Sequence, residues 1–323
     1  MQRELIHNSI VQGLLNRKDM HMAMVSLVNS QLTPPHIKNS IKRDRLQELG
    51  LSILSHRVTT ITAPAGYGKS VWVASLLQEE EWPPTAWLSL ERYNGDPSFF
   101  LYHLIHAFKK INPEYGSQSL RTLNSLRNLK QDYFIAASAI IQELPQDQEM
   151  VLVLDDYHLI DQNQLLPKIM EYLIRRLPLR THIIVISRTP PKLNLHQELL
   201  KGELLEISSQ ALLFTPEEIR ELLSLEGLVL STEDCTYIHH CTEGWAAGVR
   251  LLGLSLKQFG GNWRNNLSSL TGKHTALYIY LSHELFNYLT RELQDFLLDT
   301  AILPYLEPIL CQEVLGDTRS EEK

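Results

Sequence analysis

Apolar residues along this chain fall into two patterns that alternate. Short runs rich in β-branched residues, Val58-Thr59-Thr60-Ile61-Thr62, Thr85-Ala86-Trp87-Leu88-Ser89-Leu90, Met150-Val151-Leu152-Val153-Leu154 and Thr181-His182-Ile183-Ile184-Val185-Ile186, predict strands, the last two buried on both faces. Gly202-Glu203-Leu204-Leu205-Glu206-Ile207 predicts a fifth. Between them the spacing changes to that of helices. Phe99, Phe100, His103, Leu104 and Ala107 share one face, and Leu165, Leu166, Ile169, Met170, Leu173 and Leu177 share another. Asp96-Pro97 reads as an N-cap with Pro at the first helical position. Strands alternating with helices predict an α/β domain with a parallel sheet.

From Phe214 onward the pattern is helical only. Thr215-Pro216-Glu217-Glu218 has the form of a capping box. A helix carrying Cys235, His239, His240 and Cys241 follows, and helix-face packing accounts for it better than metal binding, since no second ligand pair is evident. Further helices are expected over Val249–Leu256 and Tyr278–Leu298, with a polar loop over 260–275. At the other end, Leu5, Ile6, Ile10 and Leu14 form a rough helical stripe, and Pro34-Pro35 mark an extended linker. The expected domains are an extension and linker over 1–40, a nucleotide-binding domain over 41–209, a helical lid over 210–275, and from 276 the beginning of a winged-helix-like region.

Composition narrows the function classes. At 323 residues, 44% hydrophobic and 21% charged, the chain can build two domains and a sizeable core. A net charge of −7 argues against a nucleic-acid-binding surface of its own. Three cysteines give no disulfide framework and fit a reducing, cytoplasmic setting. No apolar run reaches the ~18 residues that suggest a membrane-spanning helix.

The candidate chemistry sits at two strand ends. Ala63-Pro64-Ala65-Gly66-Tyr67-Gly68-Lys69-Ser70, between the first strand and the helix opening at Val71, has the layout of a phosphate-binding loop, with Ala63 where the pattern asks for Gly. Its glycines let consecutive N–H groups turn toward one phosphate, and the helix start adds its positive dipole end. Ala65 to Val71 are therefore the expected phosphate contacts, with Lys69 on the β- and γ-phosphates and Ser70 on Mg²⁺. Asp155 and Asp156 end a strand expected beside the loop. Carboxylates are costly there unless used, which suits Asp155 to Mg²⁺ and Asp156 to an attacking water. Arg188, ending the next strand, is placed to meet a γ-phosphate. Lys42, Arg43 and Arg45 either reach the nucleotide, with Arg43 the expected contact, or form a solvated face.

Together these motifs resemble the ATPase part of the MalT-like, large LuxR-family transcriptional regulators, in the signal-transducing (STAND) branch of phosphate-loop ATPases. The resemblance runs from about Leu32 to the C-terminus. It rests on the loop, on Trp87-Leu88-Ser89-Leu90 before Asp96-Pro97, and on Leu154-Asp155-Asp156-Tyr157-His158-Leu159-Ile160. Further along, Ser187-Arg188 before Pro190-Pro191, Phe214 to Glu218, and Thr242-Glu243-Gly244-Trp245 add to it. Gly244-Trp245-Ala246 departs from the family's Gly-x-Pro, and Glu91-Arg92-Tyr93-Asn94 from its acidic stretch. The resemblance implies an ASCE/AAA-like fold and an ATP/ADP switch with Mg²⁺, slow hydrolysis and nucleotide-dependent self-association. In this stretch it implies no DNA-reading element and no membrane partner. It also implies a piece or a shortened relative of a longer regulator. The competing reading is a nucleotide-binding or scaffold module that does not hydrolyse.

Overall fold

A computed structural model describes residues 31–38, 40–126, 129–258, 289–303 and 308–315. The chain divides into two compact units, Met1–Leu213 and Phe214–Lys323.

In the first unit five parallel strands, β1 (Val58–Thr62), β2 (Thr85–Ser89), β3 (Met150–Asp155), β4 (Thr181–Ser187) and β5 (Leu204–Ser208), form one sheet in the order β2-β3-β4-β1-β5. Every residue of β3 and β4 is buried, as their unbroken apolar runs require. Successive side chains go to opposite faces. Val151, Val153, Ile184 and Ile186 join one core cluster, whereas Leu152, Leu154, Ile183 and Val185 join the other. The strand ending in Asp155 was expected beside the loop-bearing strand. Instead β4 lies between them, pairing Thr62 with Ser187 on one side and Leu154 with Val185 on the other. Local patterning specifies a strand and its faces, but lateral order depends on how the crossovers pack.

Helix α1 (Asp44–Ile53) and α2 (Lys69–Leu76) cover the face carrying Ile61, through Leu46, Ile53, Trp72 and Val73. On the other face lie α3 (Pro97–Ile111), α4 (Ser117–Ser125), α5 (Leu129–Glu143) and α6 (Leu166–Arg176). Asp96 accepts the Ser98 N–H at 2.7 Å, as the N-cap reading required. The crossover from β4 to β5 contains only the short α7 (His196–Leu200). This leaves a cavity of about 460 Å³ over β1 and β5, lined in part by Thr60, Glu206, Pro190, Pro191, Leu193 and Leu195.

The start of the segment read as an extended linker is packed. Gln31 and Leu32 are buried, and the Gln31 amide donates to Asn94 Oδ1 at 3.3 Å. Asn94 in turn meets His103 Nδ1 at 2.7 Å, so a buried polar chain anchors the segment before Pro34-Pro35. The stretch after β5, α8 (Ser209–Leu212), belongs to the sheet unit, with Leu212 in the same cluster as Ile207.

The second unit opens with α9 (Pro216–Leu225), α10 (Thr232–Thr242) and α11 (Ala246–Gln258). The Thr215/Glu218 capping box forms as read, and Ser231/Asp234 makes another. Glu243 and Gly244 take left-handed φ values of 50° and 76° after α10, and the Phe214 N–H donates to the Gly244 carbonyl at 2.8 Å. Helices α12 (Arg291–Thr300) and α13 (Pro308–Leu315) follow. The stripe over 5–15, the loop over 260–275 and the start of the helix expected from Tyr278 lie outside the described residues.

Candidate nucleotide site

The loop between β1 and α2 folds as its residue types require. Gly66 and Gly68 have φ of 77° and 76°, a left-handed conformation in which a Cβ would be strained. Ala63 stands outside that region and is buried in the core cluster that holds Ile61 and Val73, so its methyl is accommodated where the pattern asks for Gly. The α2 N-cap is Gly68, and no side chain caps the helix start. Its first-turn N–H groups therefore keep the partial positive charge of a helix N-terminus.

Lys69 is 7% exposed, and its ammonium donates to the carbonyls of Ala63 at 2.6 Å and Pro64 at 2.9 Å. Its pKa is lowered to about 8, chiefly by burial; the charges of Asp156 and Asp155 oppose the shift and that of Arg188 adds to it. It thus remains mostly protonated near neutral pH. Ser70 donates its hydroxyl to Asp155 Oδ1 at 2.8 Å, so α2 reaches the end of β3 although β4 separates the two strands. Asp155 is 5% exposed, and burial, followed by the neighbouring Asp156 charge, raises its pKa to about 6. The Ser70 and Asp156 N–H bonds and the Lys69 charge offset part of that.

Asp156 has a φ of 57°, unusual for a residue with a Cβ. Its backbone turns at the strand end, and its half-exposed carboxylate lies 3.9 Å from His158 Nδ1. His158 has a lowered pKa, first from burial, opposed by Asp156 and reinforced by Arg188 and Lys69. Arg188 follows the last residue of β4 and is partly buried within the field of both Lys69 and His158. Lys69, Ser70, Asp155, Asp156 and Arg188 thus gather at the carboxyl ends of β1, β3 and β4. Tyr67 packs on the α2-side core, and Val71 is exposed on the first turn of α2.

Arg43 does something else. Its guanidinium donates to the carbonyls of Leu212 at 3.0 Å and Leu213 at 2.6 Å, and Arg45 donates to Ala211 at 2.7 Å and to Leu213. These carbonyls close the short α8, where intrahelical partners run out. This clasp on main chain was not foreseen, because the sequence did not reveal where 211–213 would fall. His158 had no role in the sequence reading beyond its motif. Its position two residues after Asp156 was the available signal.

Magnesium suits the donor set. Ser70 Oγ and the Asp155 carboxylate are hard oxygen donors 2.8 Å apart, and a second carboxylate is adjacent in sequence. The buried Asp155 carries a desolvation cost that a divalent cation would offset.

Sheet order, loop and acid pair define an α/β phosphate-loop NTPase fold of the ASCE/AAA-like kind, with a helical unit after it. Comparison with known proteins specifies the relationship further. The MalT winged helix domain family matches residues 282–323. The HTH-type transcriptional regulator MalT of Serratia proteamaculans is 27% identical over 302 residues, covering 92% of this chain and 33% of that protein. The MalT of Cronobacter sakazakii is 29% identical over 308 residues, covering 91% and 33%. The chain is similar to these MalT regulators over about nine tenths of its own length and spans about a third of theirs. Among solved structures, a Walker-type ATPase of Pyrococcus abyssi aligns with a TM-score of 0.49 at 16% identity, over 85% of this chain and 83% of that one. A signal transduction ATPase with a tetratricopeptide repeat sensor from Pyrococcus horikoshii aligns with a TM-score of 0.40 at 15% identity, over 88% and 38%.

Proposed function

We propose that this chain is a nucleotide-dependent switch module of a transcriptional regulator, binding ATP or ADP with Mg²⁺ and hydrolysing ATP slowly. The observation that carries the reading is the Ser70–Asp155 contact at 2.8 Å beside the buried Lys69. It brings the loop and the acid together across an intervening strand, as a site for a metal-bound phosphate requires.

In this reading the N–H groups of Ala65 to Val71 bind the phosphates, and Lys69 exchanges the Ala63 and Pro64 carbonyls for β- and γ-phosphate oxygens. Ser70 and Asp155 would hold Mg²⁺, which would supply charge neutralisation of the phosphates when bound. Asp156 orients a water and accepts its proton as the oxygen attacks the γ-phosphorus. The bond to the β,γ-bridging oxygen breaks, leaving ADP and inorganic phosphate. Arg188 stabilises charge on the γ-phosphoryl oxygens and distinguishes ATP from ADP. Nucleotide-dependent self-association and transcriptional control belong to the same proposal, supported by the relationship to MalT. So does the lid role of α9 to α11.

Calorimetric titration of ATP and ADP with Mg²⁺, into this chain and into Lys69→Ala, tests the reading. Saturable binding lost in the variant is the expected result. A folded, nucleotide-free wild type that binds neither nucleotide would overturn it.

A further inference from the structure

The strap leaving Arg188 is tied to the segment leaving Asp156 by side chains that the reading above does not use. Asp161, 7% exposed, directs both carboxylate oxygens at the Lys192 N–H, each at 3.1 Å. Two residues on, the Asn194 N–H donates to Glu171 Oε1 at 3.1 Å. Asp161 closes the turn that begins at Asp156, and Glu171 lies on α6, the next helix. Asn163 fixes that turn, accepting the Leu165 N–H at 2.7 Å and donating to the Gly95 carbonyl at 2.8 Å.

Within the strap the Leu193 N–H donates to the Pro191 carbonyl at 2.8 Å and the Leu195 N–H to the Leu193 carbonyl at 3.1 Å, and both leucines pack on the core beneath it. Pro190 and Pro191 have no N–H to donate, and together with Leu193 and Leu195 they line the 460 Å³ cavity left by the short crossover. On the other side of Arg188 the chain is fixed by the β4 ladder and by the Ala63 N–H, which donates to the Ser187 carbonyl at 3.3 Å. Arg188 thus sits between the sheet on one side and, on the other, a strap whose Lys192 and Asn194 N–H groups are held by carboxylates. The proline pair restricts the backbone between them, so displacement at Lys192 is carried back toward Arg188.

We propose that Asp161 is a positioning residue for the nucleotide site: by holding the strap at Lys192 it sets where Arg188 stands relative to Lys69 and the Asp155-Asp156 pair. This rests on the nucleotide-switch reading and deepens it. Asp161 touches no nucleotide in this arrangement and acts only through main chain. Its effect is therefore confined to what Arg188 does, the recognition and transfer of the γ-phosphoryl group. ADP, which lacks that group, binds as before.

The experiment compares the full chain with Asp161→Ala and Asp161→Asn, the latter keeping an acceptor oxygen. It measures amide exchange over 189–195, Mg²⁺-dependent ATP and ADP affinities, and turnover. The expected result for Asp161→Ala is exchange at Lys192 and Asn194 faster by roughly tenfold or more and turnover lower by roughly tenfold, with ADP affinity within about twofold of wild type. Asp161→Asn, which also covers a failure of the alanine variant to fold, restores most of both. Two results overturn the positioning role alone: unchanged exchange in Asp161→Ala, or faster exchange with turnover and the ATP/ADP ratio of affinities intact. A wild type that binds neither nucleotide overturns the switch reading, and the inference with it.

Discussion

Replacing Asp155 with Asn should make the folded protein more stable at neutral pH while removing the carboxylate proposed to hold Mg²⁺. The carboxyl is buried, and its pKa is about 6 in the folded chain against an ordinary value of 3.8. A raised carboxylate pKa means that folding disfavours the ionised form. The cost is absent below the unfolded value, grows as pH rises from about 4 to about 6, and is constant above that. Each pKa unit corresponds to about 1.4 kcal/mol, so a shift of about two units places the plateau at roughly 3 kcal/mol. Asn keeps Oδ1 as acceptor for the Ser70 hydroxyl and the Asp156 N–H, so those two bonds survive the substitution.

The assay is chemical denaturation of both proteins, without nucleotide or metal, at several pH values between about 4 and 8. The variant should gain up to about 3 kcal/mol at the upper end, and the gain should shrink to near zero at the lower end. Adding Mg²⁺ should then stabilise the wild type and leave the variant unchanged, because binding to the folded state alone raises stability. A variant less stable than wild type near neutral pH, or a difference that does not vary with pH, would refute the reasoning.

Asp156→Asn should leave Mg²⁺–ATP affinity within a few-fold of wild type and lower turnover by about 100-fold or more, measured by phosphate release. Asp156→Gly relieves the left-handed backbone at φ 57°, and should raise the denaturation midpoint by the equivalent of about 1 kcal/mol while also abolishing turnover. His103 is fully buried, and burial, with the nearby His106, pushes its pKa down to about 4. Because its ordinary value is 6.5, its neutral form favours folding above that pH, and stability falls as pH drops from 6.5 toward 4. His103→Gln should flatten that part of the pH–stability curve. Thr215→Ala removes the α9 cap and should cost about 1 kcal/mol in the same denaturation assay.

Much of the sheet unit was legible because the information is local. β-branched runs gave the strands, and the unbroken apolar stretches at 150–154 and 183–186 marked those buried on both faces. The phosphate loop was readable because Gly66, Gly68, Lys69 and Ser70 act within one turn of chain. Less legible was whatever depends on two distant segments meeting main chain to side chain. Arg43 looked like a nucleotide contact because a basic residue before the first strand has that option. In the structure it donates to carbonyls at 212 and 213, which carry no sequence signature. The buried Gln31 was hidden for the same reason, since its partner Asn94 lies in a polar turn after β2.

The position of β4 shows why such gaps matter to function. Had β3 paired directly with β1, Asp155 would have joined the loop by strand adjacency alone. With β4 between them, the contact is made by α2, whose Ser70 spans to Asp155 at 2.8 Å. The same insertion brings the C-terminal end of β4, and so Arg188, between the loop and the acids. Its ladder reaches β1 at Thr62–Ser187 and β3 at Leu154–Val185. A displacement of the strap after Arg188 is therefore felt on both sides. The sheet holds Lys69, Asp155 and Asp156 in fixed relation, while Arg188 lies where rigid ladder gives way to a strap backed by a cavity. In the proposed reading, that strap, tied by Asp161 and Glu171 and packed through Leu193 and Leu195, is the segment through which a change at Arg188 would be passed on.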